Sequence, residues 1–203
     1  MSGPSNPFDR LVELASSLGP ALSRCARDDD EAEIVETLLQ SVRSYGAGID
    51  SAAIDHEQKI PTALLSQAAE LGFFGLTIPD AFGGAGLSMT ATSRIIEELA
   101  TFDRSVATAL GLHCGLGLRG LVHHASPELQ RRYLPAMATG RTIGAFAATE
   151  PGAGSHIASV KTTGRELGDG LVALEGEKIY VTNGGFERSE ERRVGKECAT
   201  LCR

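Results

Sequence analysis

The stretch ATGRTIGAFAATEPGAGSH (138–156) divides the chain. Before it, apolar residues recur at the three- and four-residue spacing of helices. From Thr142 onward they come in short runs closed by glycine turns. Upstream, DDDEAEIVETLLQSVRSYG (28–46) opens with acids suited to a helix N-terminus and sets Ile34, Val35, Leu38, Leu39, Val42 and Tyr45 on one face, with Gly46 as the expected C′ residue. IPTALLSQAAELG (60–72) has Pro61 near its first helical position and Gly72 as its stop. Ser88 is the expected cap of MTATSRIIEELATF (89–102), and a further helix follows in SVATALGLHCGLGLRGLVHH (105–124). Its glycines at 111, 115, 117 and 120 each cost roughly 1 kcal/mol relative to alanine, so a close contact with a neighbouring helix or a ligand is expected to offset them. Ser126-Pro127-Glu128 starts one more helix, limited or kinked by Pro135.

Downstream, 142–149, 159–167, 171–176 and 178–185 read as strands. Helices followed by strands predict an α+β fold or two separate domains, divided near Gly140. Composition agrees with a globular chain: 203 residues, 42% hydrophobic and 22% charged. A net charge of −7 without a basic stripe argues against nucleic acid as a partner. Cys25, Cys114, Cys198 and Cys202 show no CxxC spacing and read as reduced residues. The N-terminus lacks the pattern of a signal peptide, RDDDEAE (27–33) is unlike a transit peptide, and no apolar run approaches the ~18 residues of a membrane span, so a cytoplasmic protein is expected.

Two stretches carry chemistry. In AFAATEPGAGSH (145–156) a strand delivers Thr149, then Pro151, Gly152 and Gly154 turn the chain, with Ser155 at the far end. Closely spaced N–H groups and hydroxyls suit a cofactor phosphate or a flavin edge; a plain β-turn is the alternative. In KIYVTNGG (178–185) strand alternation would place Tyr180 and Thr182 on one face, an aromatic plate beside a hydroxyl. The alternative there is an exposed strand face.

Taken in order, LGFFGLTIPDAFGGAGLS (71–88), AFAATEPGAGSH and EKIYVTNGG resemble three signature stretches of the acyl-CoA dehydrogenase family, over roughly residues 31 to 186. The helix pair before the second stretch leans towards the very-long-chain branch. The resemblance implies an N-terminal all-helical domain followed by the truncated start of an antiparallel β domain. Its expected divisions are an N-terminal extension (1–30), a helical domain (31–140), a partial β domain (141–187) and a foreign tail (188–203). It also implies FAD as cofactor, acyl-CoA as substrate, an electron-transfer flavoprotein as acceptor and a homo-oligomer when full length.

By position, Phe146, Ala148 and Thr149 would line the flavin ring, and Ser155 would lie near both the FAD pyrophosphate and the acyl-CoA. Tyr180 stands where the family usually has Trp, Val181 follows it, and Thr182 would bond near flavin N5. His156 replaces the usual Asp, which would fix the loop by accepting backbone N–H groups. No catalytic residue is expected within the chain, because the family's base is a glutamate of a C-terminal domain. Expressed alone, these residues are expected to be inactive and prone to aggregate. A flavin-dependent oxidase or monooxygenase, and a non-catalytic helical binding module, stand as alternatives.

Other residues are given structural readings. His113, Cys114, His123 and His124 read as helix-surface or core residues rather than a metal set. Glu150 reads as a loop residue and the acids at 28–33 as a solvated helix start. The ending RSEERRVGKEC (188–198) has no apolar period and resembles the translation of a short-read sequencing adapter, so Cys198 and Cys202 are assigned no role; a solvated charged tail is the alternative.

Overall fold

A computed structural model of the chain describes residues 27–168 and 171–186. The expected N-terminal extension, apart from its last residues, and the expected foreign tail lie outside the described residues. The helices are α1 (Asp29–Gly46), α2 (Ser51–Glu57), α3 (Thr62–Glu70), α4 (Met89–Ala100), α5 (Arg104–Leu112), α6 (Leu118–His124) and α7 (Pro127–Ala138), with a π-helical turn, His113–Gly117, between α5 and α6. Two strands follow, β1 (Thr163–Gly168) and β2 (Leu171–Glu175). The fold is α+β, as the order of sequence periods implied.

Side-chain caps explain where most helices begin. Asp28, Asp50, Ser88, Asp103 and Ser126 each accept a backbone N–H three residues on, at 2.8, 3.0, 3.2, 2.8 and 3.4 Å. A cap of this kind is worth about 1 kcal/mol. The Asp50 cap starts α2, a helix the sequence periods had not marked because only Ile54 of its seven residues is buried.

Helix α4 packs against both α1 and α5, and their facing residues Leu39, Val42, Tyr45, Ile95, Leu99, Val106 and Leu110 form the main core. Ile34, expected on the buried face, is exposed. The Tyr45 hydroxyl donates to the Leu64 carbonyl at 3.1 Å, and its ring meets Phe73 edge-on at 5.5 Å. The loop between α3 and α4 folds back on itself: Ala85, Leu87 and Gly86 donate to the carbonyls of Gly75, Leu76 and Ile78 at 2.9, 2.8 and 2.8 Å. It sends Phe73, Phe74 and Leu76 into the main core and Ile78 into a second cluster with Leu118, Leu134 and Met137. One loop therefore joins the two apolar clusters.

Several sequence expectations are corrected. Gly46 is the last residue of α1, not a left-handed stop after it; a Cβ there would overlap the Phe102 ring, so close approach requires the glycine. The helix read over 105–124 is interrupted by the π turn. Of its glycines, Gly111 lies against Ile96 and Gly117 against Gly144, whereas Gly115 and Gly120 meet nothing within 4 Å. The run Arg104–His124 is 21 residues long and apolar enough, by length and composition, to cross a membrane, contrary to the sequence reading. Here its Val106, Leu110, His113, Cys114 and Leu118 are core residues. The acids at 28–33 are not uniformly solvated either: Glu31 is 3% exposed and accepts from the Ser88 N–H and hydroxyl and from Arg27.

In the β half, β1 and β2 pair antiparallel, Thr163 opposite Glu175 and Arg165 opposite Ala173, with an irregularity near Gly168. The stretches 142–149 and 178–185 are not strands. One backbone bond joins them among the described residues, the Ile179 N–H to the Thr149 carbonyl at 2.9 Å, and a single bond makes no ladder.

Gly46→Ala normally gains helix propensity, but here it must displace the Phe102 ring. The variant is expected to lose about 1–3 kcal/mol of stability, read as a lowered denaturant midpoint at unchanged slope.

Candidate functional site

Three parts of the chain meet at Gly144. Its N–H donates to His113 Nδ1 at 2.8 Å, and its carbonyl accepts from Asn183 Nδ2 at 3.1 Å. His113 sits in the π turn, fully buried, and its opposite nitrogen is 3.1 Å from the Phe74 carbonyl. An amide N–H can only donate, so Nδ1 is the acceptor and Nε2–H donates to Phe74. The Phe74 ring stands edge-on to the imidazole at 5.1 Å. Burial holds the His113 pKa down to about 4, against a weaker upward contribution from the bond to the Phe74 carbonyl. The ring is therefore neutral at pH 7.

Asn183 reaches the same point from the other side of the sequence. Its backbone is left-handed at φ +70°, in a turn closed by Gly184 N–H to the Val181 carbonyl at 3.1 Å. Its amide also donates to the Ala109 carbonyl at 2.9 Å, while its buried Oδ1 has no partner among the described residues. The π turn is braced by the loop before α4, where the Thr77 hydroxyl donates to the Cys114 carbonyl at 2.7 Å. The Cys114 thiol is buried against the Phe73 carbonyl, and burial pushes its pKa up to about 12, which leaves it unreactive. His123 and His124 lie exposed on α6.

The following turn is organised by Glu150. Glu150 and Ala153 exchange backbone bonds at 3.0 and 3.1 Å around Pro151-Gly152. The buried Glu150 carboxylate accepts from the Lys161 N–H at 2.6 Å, the Thr162 N–H at 3.0 Å, the Thr162 hydroxyl, and Lys178 Nζ at 2.9 Å. The Thr162 hydroxyl bond, then the Lys161 and Lys178 bonds, lower its pKa from 4.5 to about 2. Lys178 also donates to the Ala148 carbonyl at 3.1 Å, so one ion pair ties 148–150 to 178. With its lone pairs occupied and its proton lost, Glu150 is a structural loop residue.

The residues marked from sequence divide into two groups. Phe146, Ala148 and Thr149 precede the turn, and the Thr149–Ile179 bond brings them beside the segment carrying Tyr180, Val181 and Thr182. Phe146 is 46% and Tyr180 88% exposed, and the hydroxyls of Thr149 and Thr182 make no side-chain bond among the described residues. Ser155 stands exposed beyond the turn, with no hydrogen bond to either segment among the described residues. The alternation that would put Tyr180 and Thr182 on one strand face does not hold. Tyr180 is left-handed at φ +57° and the segment has no ladder to enforce a pleat. His156 takes a side-chain partner where Asp would cap backbone: Nδ1 is 2.7 Å from the Ser159 hydroxyl.

Sequence reasoning missed Asn183 and the bridging role of His113. A histidine amid apolar residues, and an asparagine before two glycines, were the available signals. Neither names a partner.

A wide cleft of about 630 Å³ lies between the loop before α4 and the α5–α6 run, and a more apolar groove of about 550 Å³ lies between α4 and α5. The groove is lined mainly by small and apolar residues, among them Ile96, Ala107, Leu112, Gly115 and Leu116, with Arg104 and Thr108 as its polar members. Gly117 follows its last lining residue, Leu116, in the chain, and a Cβ there would stand 3.0 Å from the Gly144 carbonyl carbon.

Acid is expected to weaken the site in two stages. His113 has a folded pKa of about 4, below its ordinary 6.5, so the unfolded state takes up the proton first and stability falls as pH drops through that interval. Glu31 is opposed by burial, but bonds from Ser88 and Arg27 bring it to about 2, like Glu150. The stability that both contribute is complete above about 4.5 and lost as pH falls towards 2. Denaturation curves at stepped pH should show both stages, and His113→Gln should remove the upper one.

The chain matches the family model for the acyl-CoA dehydrogenase N-terminal domain over residues 29–141. It is 32% identical over 161 residues to the very long-chain specific acyl-CoA dehydrogenase, mitochondrial, of Bos taurus, covering 78% of this chain and 25% of that protein. Among solved structures it is similar to butyryl-CoA dehydrogenase from Megasphaera elsdenii, with a TM-score of 0.70, 26% identity and coverage of 75% of this chain and 41% of that one. It is also similar to an acyl-CoA dehydrogenase from Bacillus anthracis solved in complex with FAD, with a TM-score of 0.61, 30% identity and coverage of 78% and 27%. The chain thus spans about a quarter of the length of the bovine relative. On the family-model match over most of the helical half, the chain belongs to the acyl-CoA dehydrogenase family.

Proposed function

We propose that the chain supplies the flavin side of an FAD-dependent acyl-CoA dehydrogenase, which removes hydrogens from the α and β carbons of an acyl-CoA thioester. The observation that carries this reading is the Ile179 N–H to Thr149 carbonyl bond, which brings 146–149 beside 180–182. The two segments carry exposed aromatic surface and two hydroxyls without a side-chain bond among the described residues, on a backbone held by Glu150, Lys178 and Gly144. Such a surface fits an isoalloxazine ring, which needs an apolar plate and donors at its edge. FAD held there would supply the acceptor for the β-hydride.

Phe146 and Tyr180 would cover the ring and exclude water, with Ala148 and Val181 beside them. The Thr149 and Thr182 hydroxyls would donate to its polar edge. Ser155, exposed and without a hydrogen bond among the described residues, would be available to the pyrophosphate or to the acyl-CoA. Because Glu150 is fully engaged, removal of the α-proton is assigned to a carboxylate outside the described residues. The α4–α5 groove is lined up to Leu116, next in sequence to the Gly117 that abuts Gly144, and its mainly apolar lining suits an alkyl chain. We place the division between helical and β parts near residue 140. A cytoplasmic site, an electron-transfer flavoprotein as acceptor and a homo-oligomeric state belong to the same reading.

In protein from the complete gene, FAD titration and anaerobic bleaching of the flavin by acyl-CoA test the reading. Thr149→Val and Thr182→Val should each weaken FAD binding about 5–10-fold, the worth of one net hydrogen bond. Absence of FAD binding, or no bleaching by any acyl-CoA, contradicts the proposal; rapid oxygen consumption by the reduced protein would favour an oxidase. A Cβ at Gly115 meets nothing within 4 Å, so Gly115→Leu should fold normally. It should raise KM for long-chain more than for short-chain acyl-CoA, by about tenfold if a few methylenes lose their place.

A further inference from the structure

We propose that His113 is a positioning residue for the flavin loop, using its two ring nitrogens to hold Gly144 at a fixed place between the groove helix and the loop before α4. The proposal rests on the FAD reading above. The Gly144 N–H goes to Nδ1 at 2.8 Å, and the Phe74 carbonyl takes the proton of the other nitrogen at 3.1 Å. The imidazole thus spans two backbone groups that are distant in sequence and buried together. Neither lies in a helix or a named strand, and neither has a backbone partner among the described residues.

Asn183 holds the same residue from the opposite side, donating to the Gly144 carbonyl at 3.1 Å and to the Ala109 carbonyl at 2.9 Å. Both polar groups of Gly144 are therefore taken by side chains. The residue is also confined sterically, with Gly117 on one side and the Met137 methyl 3.0 Å from where a Cβ would stand. Two residues further on is Phe146, and five further on is Thr149. A shift at Gly144 passes along this short chain to the residues that face the cofactor. The adjoining groove would move with it, because Ala109 and Gly117 belong to the same helical run.

What the position demands is an acceptor and a donor on opposite ends of one short, rigid group. Glutamine offers both through its amide; leucine offers neither, leaving the buried Gly144 N–H unpaired and the Phe74 carbonyl with only the Cys114 thiol at 3.8 Å. FAD fluorescence titration and visible flavin spectra of protein from the complete gene test the proposal. His113→Leu should raise the Kd for FAD about tenfold or more, with its flavin spectrum shifted towards that of free FAD, whereas His113→Gln should stay within about threefold of wild type. Asn183→Ala should weaken binding in the same direction, and its effect combined with His113→Leu should fall short of the product of the two, since both act through Gly144.

If His113→Leu does not fold, Asn183→Ala and His113→Gln carry the comparison. A His113→Leu protein with wild-type affinity and spectrum overturns the proposal, as does an Asn183→Ala protein indistinguishable from wild type. A His113→Gln protein as impaired as His113→Leu also overturns it, because packing and not the paired bonds would then be responsible. A wild-type protein that binds no FAD overturns the functional reading and this proposal with it; unaffected variants of an FAD-binding wild type overturn this proposal alone.

Discussion

The paired capture of the Gly144 backbone by His113 and Asn183 is the constraint on which the rest of the site depends. The helical half is held by apolar packing, which is strong but indifferent to small shifts of a loop on its surface. The segments bearing Phe146, Thr149, Tyr180 and Thr182 have little such packing. Their placement comes from a few directed bonds, and Gly144 is where those bonds reach the buried core. An unpaired buried backbone group costs about 1–3 kcal/mol, so both groups at Gly144 favour the same arrangement.

Beyond Gly144 the β half is thinly supported. All of β1 is exposed, and β2 is only partly covered. A two-stranded ribbon is marginal alone in water. The Glu150 carboxylate compensates by gathering Lys161, Thr162 and Lys178, three points of the chain, around one charge. Glu31 does the same on the helical side, joining the start of α1 to the Ser88 cap of α4. In each case a carboxylate with its oxygens fully engaged fixes a turn that apolar contacts leave loose.

Local signals in the sequence were sufficient for most of the helices, though not for α2 or for the π turn. Ser88 and Ser126 cap where their residue types predicted, and Leu39, Val42, Tyr45, Ile95 and Leu99 are buried as their spacing implied. The strand readings at 142–149 and 178–185 failed because a strand is defined by its partner, and alternation alone supplies none. Gly46 was read as a stop when its role is to admit Phe102, a contact between distant residues. The motif stretches located the candidate site, but not its supports. His113 lies in a run that reads as an ordinary apolar helix, and the π turn that aims it at Gly144 leaves no mark in the periodicity. Glu31 sits among acids that are solvated, and only the tertiary approach of Ser88 sets it apart.

Amide hydrogen exchange at Gly144 tests the central claim most directly. The account predicts that this amide exchanges among the slowest outside the helices, close to the core amides of α5, and that His113→Leu accelerates it far more than His113→Gln does. Exchange of Gly144 at the rate of Gly152 and Gly154, in the exposed turn beyond it, would contradict the account.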